Sequence, residues 1–424
     1  MRSLVHVRWL WLLAGSCACT LAADRVRAQP IGSMVDLKTE FDKTSTRRGK
    51  LLSGEEQPAA ADKKVAEATA KYFIYRITHK TADPNHLPKV QFEFEKFAIG
   101  IDPKKKNQLF VNQFLGPALV ACMKEVLAVD PRENPTVVIN ACNMLPAMAR
   151  LRADDIGNYL IFMVQDSQTN EIVRLHALKA FKETLPVRVF DPDVGGKEDE
   201  ARKVRDIKHV EALVKFIERP VKANDPGDVA VYRFLRREAI TSLANAGAPA
   251  VALVKKGKIE TVEGAVAPTL LRVLVTDGLQ PPASMQEKIE AAVGLCSMKY
   301  PDLLKYEPEI AVYHVGRTLA EMVSEYNKDY ANFGAKDKTR KLPMIAWMTE
   351  SKRLELGLKD MVKASGGNKK AMDLEKMFNP VLKRMQKYDA PNLDRAEYNR
   401  LEQQNLPKSG AVFKTLKSEV VPLN

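Results

Sequence analysis

The sequence predicts an all-α protein: an α-solenoid of stacked antiparallel helix pairs with extra C-terminal helices. Three observations predict this fold class. Between Gly116 and about Tyr330, apolar residues recur three and four positions apart, which is the spacing of one helix face. Helix-breaking stretches separate the apolar segments, and no convincing run of strands interrupts them. Several segments also resemble one another, as in arrays where each unit covers the apolar face of the next.

The predicted helices of this central region come in pairs joined by short polar turns. GPALVACMKEVLAV is followed by DPRENP and then by TVVINACNMLPAMARL. In the same way, DDIGNYLIFMVQ is followed by DSQTN and then by EIVRLHALKAFKETL. IKHVEALVKFIERP and PTLLRVLVTDG are the first helices of two further pairs. A short turn between two helices favours an antiparallel arrangement of each pair.

The second helices of these pairs repeat a pattern of apolar positions. An offset of 36 residues superimposes the first two copies, and LRREAITSLANAG follows at an offset of 62 because a polar insertion intervenes. EKIEAAVGL is a fourth and weaker copy. The predicted repeat core consists of Val137, Ala141, Leu145, Val173, Ala177, Phe181, Leu235, Ala239 and Leu243.

One of these copies carries a resemblance to a known family. The stretch VRLHALKAF, from Val173 to Phe181, resembles the second helix of HEAT repeats, and Asp166 to Asn170 supply the Asp and short polar turn that usually precede it. The resemblance covers roughly residues 116 to 300. It implies that Ala177 lets neighbouring helices approach closely, and that Arg174 reaches acidic or carbonyl groups of a neighbour. A fold is implied more than an activity.

His176 lies inside this repeat, where it is interpreted as an exposed helix residue. It falls at a variable position that Asn140 occupies in the first copy and Glu238 in the third. The flanking core positions keep their apolar character in all three copies, so the stretch indicates stacking and gives no reason to assign a catalytic role.

The regions on either side of the repeats differ in composition. Residues 29–62 are polar with scattered Gly, Pro and Ser and are predicted to be a flexible lead-in. Residues 63–115 are predicted to be an N-terminal helical segment that caps the array, although VQFEFEKFAI alternates as a short strand would and its assignment stays open. The repeats occupy residues 116–335. Residues 336–424 are predicted to be a basic helical C-terminal region, either a cap or a separate small bundle.

Residues 1–28 are predicted to be a cleaved export signal. A basic start at Arg2 and Arg8 precedes an uncharged run from Trp9 to Ala23 that is too short to span a bilayer comfortably. Val26 to Ala28 offers a small-residue cleavage pattern, and a buried N-terminal helix is the alternative. The mature protein is therefore expected to be periplasmic or extracellular.

Export also bears on the cysteines, because an oxidising compartment permits disulfides. Cys122, Cys142 and Cys296 remain after cleavage, and all three lie in apolar helical patterns. Buried thiols are favoured over a bridge between Cys122 and Cys142.

The polar insertion VFDPDVGGKEDEAR is the most tempting candidate for a metal site. Asp191, Asp193 and Asp199 superficially trace a calcium loop, since calcium needs several oxygen ligands around one centre. However, Gly195 stands where a third oxygen ligand is expected, and Arg202 occupies the position of the closing carboxylate. A solvated loop fits these residues better.

The remaining chemical candidates give no assignable site. His79, Asp83 and His86 lie close in sequence, but a Pro-Asn turn separates them and no fourth ligand is identifiable. The sequence contains no HExxH, no Gly-rich phosphate loop and no Gly-x-Ser-x-Gly elbow. No catalytic, cofactor-binding or metal-binding residue is predicted, and no cofactor is expected. The alternative is a metal-dependent or other envelope enzyme whose site is not recognisable from the sequence.

Positive charge is concentrated towards the C-terminus. The chain has 66 basic and 53 acidic residues, a net charge of +13, and residues 336–424 hold 19 basic and 11 acidic side chains. A possible surface for an anionic partner consists of Lys336, Lys338, Arg340, Lys341, Lys383, Arg384 and Lys387. An envelope polymer or membrane surface fits an exported chain, whereas nucleic acid is not expected. The leading interpretation is an exported, non-catalytic HEAT-like scaffold that binds a protein or other envelope partner.

Overall fold

The computed structural model describes residues 31–79, 85–101, 108–128, 135–185, 197–221, 225–255, 258–276, 278–300, 306–334, 342–389, 391 and 393. This part of the chain is mostly helical and contains one two-stranded antiparallel hairpin, so the predicted all-α class is confirmed at that level. The chain divides into two compact units, residues 1–156 and residues 157–424. The predicted signal at residues 1–28 lies outside the described residues.

The first unit is built mainly from α1 Met34–Lys43, α2 Ser45–Ser53, α3 Lys63–Ile74, α4 His86–Ile99, α5 Gly116–Leu127 and α6 Pro135–Arg150. Short 3-10 turns, Ala60–Asp62 and Tyr75–Thr78, flank α3, and Gln108–Phe110 with the π turn Val111–Leu115 leads into α5. Helix α3 packs on α1 and α5, and α4 packs on α6. Cys122 and Cys142 are buried free thiols in this unit.

The segment 29–62 differs from the flexible lead-in that its composition predicted, because most of it forms α1 and α2. Four side chains form a stack that holds it to α3. The rings of Phe41 and Tyr72 stack with their centroids 3.9 Å apart. The guanidinium of Arg48 lies 3.5 Å from the Phe41 centroid, and that of Arg76 lies 4.4 Å from the Tyr72 centroid. Cation–π and aromatic contacts replace a periodic apolar face here, so hydrophobic periodicity gave no signal.

The ambiguous stretch VQFEFEKFAI is helical and forms most of α4. Val90, Phe94 and Ala98 are buried at a spacing of four residues, whereas Phe92 and Ile99 are exposed. The apolar alternation arises because large apolar side chains occupy both the buried face and the solvent face of one helix. A strand was the wrong alternative.

The second unit contains α7 Asp154–Gln165, which spans the boundary, α8 Glu171–Thr184, α9 Lys197–Glu218, α10 Pro226–Ala244, α11 Val266–Val275, α12 Met285–Ser297, α13 Pro308–Asp329, α14 Leu342–Ala364 and α15 Lys369–Gln386. Alternate helices pack on each other: α8 on α10, α10 on α12 and α12 on α14. Consecutive helices also touch, as α9 does α10, α11 does α12 and α13 does α14. Cys296 on α12 is a buried free thiol.

The hairpin in the second unit is a departure from the expected run of helices. Strands β1 Ala250–Lys255 and β2 Lys258–Ala265 pair antiparallel, with Leu253 opposite Thr261 and Val254 opposite Ile259. Both strands contact α9. The β-branched residues on either side of a Lys-Gly pair are typical of a hairpin. The sequence did not predict this hairpin, because helical patterns flank the segment on both sides.

Two glycines allow helices of the second unit to approach closely. A Cβ atom on Gly157 of α7 would lie 2.3 Å from Nε2 of His209 on α9. A Cβ atom on Gly294 of α12 would lie 2.6 Å from the Cβ atom of Ala244 at the end of α10. A side chain at Gly157 would require the imidazole of His209 to move, and one at Gly294 would require α10 and α12 to separate.

Candidate partner-binding face

Helices α8, α10, α12 and α14, called here the second-helix row, lie side by side in the second unit. The Ser242 hydroxyl on α10 donates to the carbonyl of Leu178 on α8 at 2.7 Å, and the Asn245 amide donates to the carbonyl of Lys182 at 2.7 Å. These partners are 64 and 63 residues apart. Because both sequence positions increase together, α8 and α10 run parallel.

A buried ion pair joins α10 to α12. Nε of Arg236 donates to Oε1 of Glu287 at 2.5 Å, and both side chains are at most 1% exposed. The same guanidinium donates through Nη1 to the carbonyl of Pro281 at 2.8 Å, in the turn before α12. Glu287 also accepts from the backbone N–H of Ser284 at 2.7 Å, as part of the capping box that begins α12. Each side chain of the pair therefore makes several hydrogen bonds.

A second charged cluster continues the row to α14. Arg237 and Arg353 both donate to Glu290 of α12, at 3.0 Å and 2.6 Å, and Arg353 also donates to Glu350 at 2.8 Å. Burial raises the pKa of Glu290, but the hydrogen bonds and charges of Arg353 and Arg237 outweigh burial, so its pKa is lowered overall. Burial dominates at Glu350 and raises its pKa. The cluster fixes the α12–α14 contact by charge-assisted hydrogen bonds.

The outer surface of α8 and α10 carries large apolar side chains. Ile172 on α8 and Val231 and Phe234 on α10 are 42%, 40% and 36% exposed. The hydrogen-bond register between the two helices places Ile172 level with Phe234. These three residues are called here the apolar face. Exposed apolar groups on a rigid helical surface are typical of protein interfaces.

His176 lies on the same helix as Ile172. Its side chain is half-buried, whereas the sequence predicted that it would be exposed. Burial, and secondly the charge of Lys179, lowers the pKa of His176 to about 4, against a smaller opposing effect of Glu238. A neutral imidazole at this position contributes contact area to the surface without adding charge.

The first unit has a similar surface on its own pair of packed helices. Phe92 and Ile99 on α4 are 66% and 64% exposed, and Ile139 on α6 is also exposed. Glu95 of α4 accepts a hydrogen bond from Arg150 of α6 at 2.6 Å. Apolar residues with charged pairs between them therefore recur on both units.

The sequence-predicted residues have different positions in the structure. All nine residues of the predicted repeat core, from Val137 to Leu243, are buried. Lys383, Arg384 and Lys387 are exposed on α15 or at its C-terminal end. Lys336, Lys338, Arg340 and Lys341 lie outside the described residues. Arg174 donates to the backbone carbonyl of Asp166, in the turn before its own helix, at 2.7 Å.

The histidines of the HKTADPNH stretch bond to backbone groups. Nε2 of His86 lies 3.1 Å from the carbonyl of Arg76, and Nε2 of His79 lies 3.4 Å from that of Ile31. Within the described ranges, no group of three or more His, Cys, Asp or Glu is placed to hold a metal ion. Asp83, Asp191 and Asp193 lie outside those ranges.

The charged clusters and the apolar face were not found by sequence reasoning. Arg236 and Arg237 immediately follow a repeat core position, and Glu287 and Glu290 are three residues apart on one helix face. Charged residues beside repeat core positions are the available signal, but each pair spans more than fifty residues. Sequence spacing alone does not reveal such partners.

Neither a known family model nor a curated protein nor a solved structure matches this chain. In the part of the chain that the structure describes, no helix has both the length and the apolar character needed to cross a bilayer.

Proposed function

We propose that this protein is an exported, non-catalytic scaffold of HEAT-like helix pairs that binds a protein partner through exposed apolar residues of its second helices. The observation that carries the proposal is the apolar face, Ile172, Val231 and Phe234, on two helices joined by side-chain hydrogen bonds, with a buried ion pair that joins α10 to α12. A rigid row presents these side chains without the ordering cost of a mobile loop.

The packing order supports a repeat array. In HEAT-like arrays each helix touches its sequence neighbours and the equivalent helix of the next pair, and α8, α10, α12 and α14 follow this order. Arg174 and Arg236, 62 residues apart, both donate to backbone carbonyls at turns that precede a helix. Arg174 bonds the turn before its own helix and Arg236 bonds the turn before the next helix of the row, so the support for a repeat array comes from the packing order.

Export is proposed from the sequence of residues 1–28, with its basic start, apolar run and small-residue cleavage pattern. Mass spectrometry of protein isolated from the source cells tests it. Processing after Ala28 leaves Gln29 as the first residue, and a mature chain that retains residues 1–28 contradicts export by a cleaved signal.

The binding proposal is tested by affinity capture from envelope extract with the wild-type chain, followed by titration of the recovered partner against variants. Ile172→Ser with Phe234→Ser is expected to weaken binding about tenfold or more, because two large apolar side chains no longer leave water in the complex. Val204→Ser is the matched control, since Val204 on α9 is similarly exposed at 39% but lies outside the second-helix row.

The outcomes separate a specific face from general stickiness. Equal weakening by Val204→Ser and by the double variant contradicts the apolar face as the binding site. Failure of the wild-type chain to retain any protein above the level of an unrelated control contradicts the scaffold itself. Circular dichroism of each variant checks that helix content is unchanged.

A further inference from the structure

A basic stripe runs along the outer side of α15, the last described helix. The buried side of this helix packs against α13 and α14 through Leu374, Phe378, Leu382 and other apolar residues. The opposite side exposes five cations, which are called here the basic stripe: Lys369, Lys376, Lys383, Arg384 and Lys387. With a rise of about 1.5 Å per residue, the stripe is about 27 Å long.

The cations of the basic stripe make no ion pair within the described part of the chain, unlike several other lysines there. Lys370 on the flank of α15 pairs with Glu309 at 2.6 Å, and Lys359 on α14 pairs with Glu355 at 2.9 Å. Asp373, between Lys369 and Lys376, is half-exposed, and Asp389, two residues beyond Lys387, is exposed. Among the described residues, the five exposed cations outnumber these two carboxylates, so the stripe presents a net positive surface.

Helix stability explains only part of this arrangement. Lys383, Arg384 and Lys387 lie at the C-terminal end of α15, where cations are favoured by the helix dipole. Lys369 is the first residue of the helix, where the same dipole disfavours a cation. Lys383 and Lys387 are also a like-charge pair four residues apart, which destabilises a helix. A binding partner that supplies negative charge accounts for the stripe as a whole.

The residue types favour a diffuse anionic surface over a single anionic ligand. Four of the five cations are lysines, compact point charges on flexible stems that do not form the planar fork of a bidentate site. Met372 lies on the same side, between Lys369 and Lys376, and is 45% exposed. Apolar side chains beside lysines are typical of helices that lie on a bilayer interface.

We propose that the basic stripe on α15 binds the surface of an anionic lipid membrane. Lysines along one side of a helix attract anionic headgroups, and Met372 on the same side reaches the headgroup layer. The membrane contact is independent of the proposed protein-binding face, because no residue of the stripe belongs to the second-helix row. The two surfaces together would hold a protein partner near a membrane.

The test is co-sedimentation of the full chain with vesicles, either pure phosphatidylcholine or the same lipid with about one third phosphatidylglycerol. Binding is expected only with phosphatidylglycerol, and it should fall steeply between about 0.05 M and about 0.5 M salt. Lys376→Glu with Lys383→Glu is expected to weaken partitioning about tenfold or more, because each reversal replaces an attraction by a repulsion.

The matched control is Lys38→Glu with Lys43→Glu on α1, which makes the same change in net charge at two exposed lysines outside the stripe. Retained binding in this control supports the stripe, and equal loss in both double variants overturns it. Equal sedimentation with both vesicle types also overturns the proposal. Binding to soluble polyglutamate without binding to vesicles overturns it in favour of an acidic polypeptide.

Discussion

The buried pair Arg236–Glu287 joins α10 to α12, and its removal tests how much the packing of the row depends on this pair. Glu287→Ala leaves the guanidinium of Arg236 buried without a counter-charge, so we expect a loss of about 3–5 kcal/mol in unfolding free energy. The double variant Arg236→Met with Glu287→Met should recover part of this loss, since two apolar groups require no charge solvation.

The control for this prediction is Lys38→Ala, which removes the exposed Lys38–Asp42 pair at 3.1 Å. Its expected cost is at most about 0.5 kcal/mol, because water screens an exposed pair. Urea unfolding followed by circular dichroism measures all three variants. A double variant that is no more stable than Glu287→Ala would show that the buried charge is not the source of the loss.

His209 is the residue whose protonation should most affect stability. Burial lowers its pKa to about 3, with smaller contributions from Arg205 and Lys208, and its Nδ1 has no hydrogen-bond partner within the described residues. Because the folded pKa lies below the unfolded value of about 6.5, the neutral ring contributes stability above pH 6.5, and this contribution is lost as pH falls towards 3. At pH 5 the loss is about 2 kcal/mol.

His209→Leu removes this titration, so the variant is expected to lose less thermal stability than wild type between pH 7 and pH 5. His176, whose pKa of about 4 also results mainly from burial, still titrates in the variant and leaves a residual slope. The measurement is the shift in Tm between the two pH values. An unchanged shift in His209→Leu would be evidence that other groups control acid unfolding.

At the scale of helices, close packing depends on the absence of a side chain at particular glycines. Gly294→Ala places a Cβ atom 2.6 Å from that of Ala244, so α10 and α12 must separate, with an expected loss of about 1–3 kcal/mol. Gly49→Ala in α2 is the matched control, because nothing lies within 4 Å of the added atom. It should stabilise the protein by about 0.5–1 kcal/mol, since Ala restricts the unfolded chain.

Chemical denaturation compares these two alanine variants. If both variants are destabilised, the loss of unfolding free energy arises from the backbone of each helix and not from the contact between α10 and α12. Stabilisation by both would mean that α10 and α12 tolerate a wider separation than their packing indicates.

For the whole molecule, the sequence predicted which residues form helices well, but it predicted poorly which distant side chains contact each other. Apolar periodicity identified the helices from Pro135 to Thr184 and the side chains they bury, such as Leu145 and Phe181. It missed α1 and α2, because the stack of Phe41 on Tyr72 has no helical period. Lys369, Lys376 and Lys383 are seven residues apart, so the sequence alone places these three lysines on one face of a helix.

The charged clusters and the apolar face were harder to predict for a physical reason. Arg353 and Glu290 are 63 residues apart, and Ile172 and Phe234 lie at the same level only because of the register between two helices. A sequence pattern shows which residues share a face of one helix. The neighbouring helix is selected by packing between side chains distant in sequence, which a single sequence does not encode in any local spacing.

The packing order of the second unit leads to a last prediction, which also tests the proposed array. Substantial contacts among the described helices of this unit join elements that are neighbours or next neighbours along the chain, so a destabilising substitution at one end should have a local effect.

Leu374→Ala creates a cavity in the buried face of α15 and should cost about 2–5 kcal/mol locally. Hydrogen exchange is expected to accelerate in α13, α14 and α15 and to remain unchanged in α8. The reciprocal variant, Phe181→Ala in α8, should accelerate exchange in α8 and α10 while leaving α15 protected. Uniform acceleration in both variants would instead indicate one cooperative core, which is not how a stack of nearest-neighbour repeats unfolds.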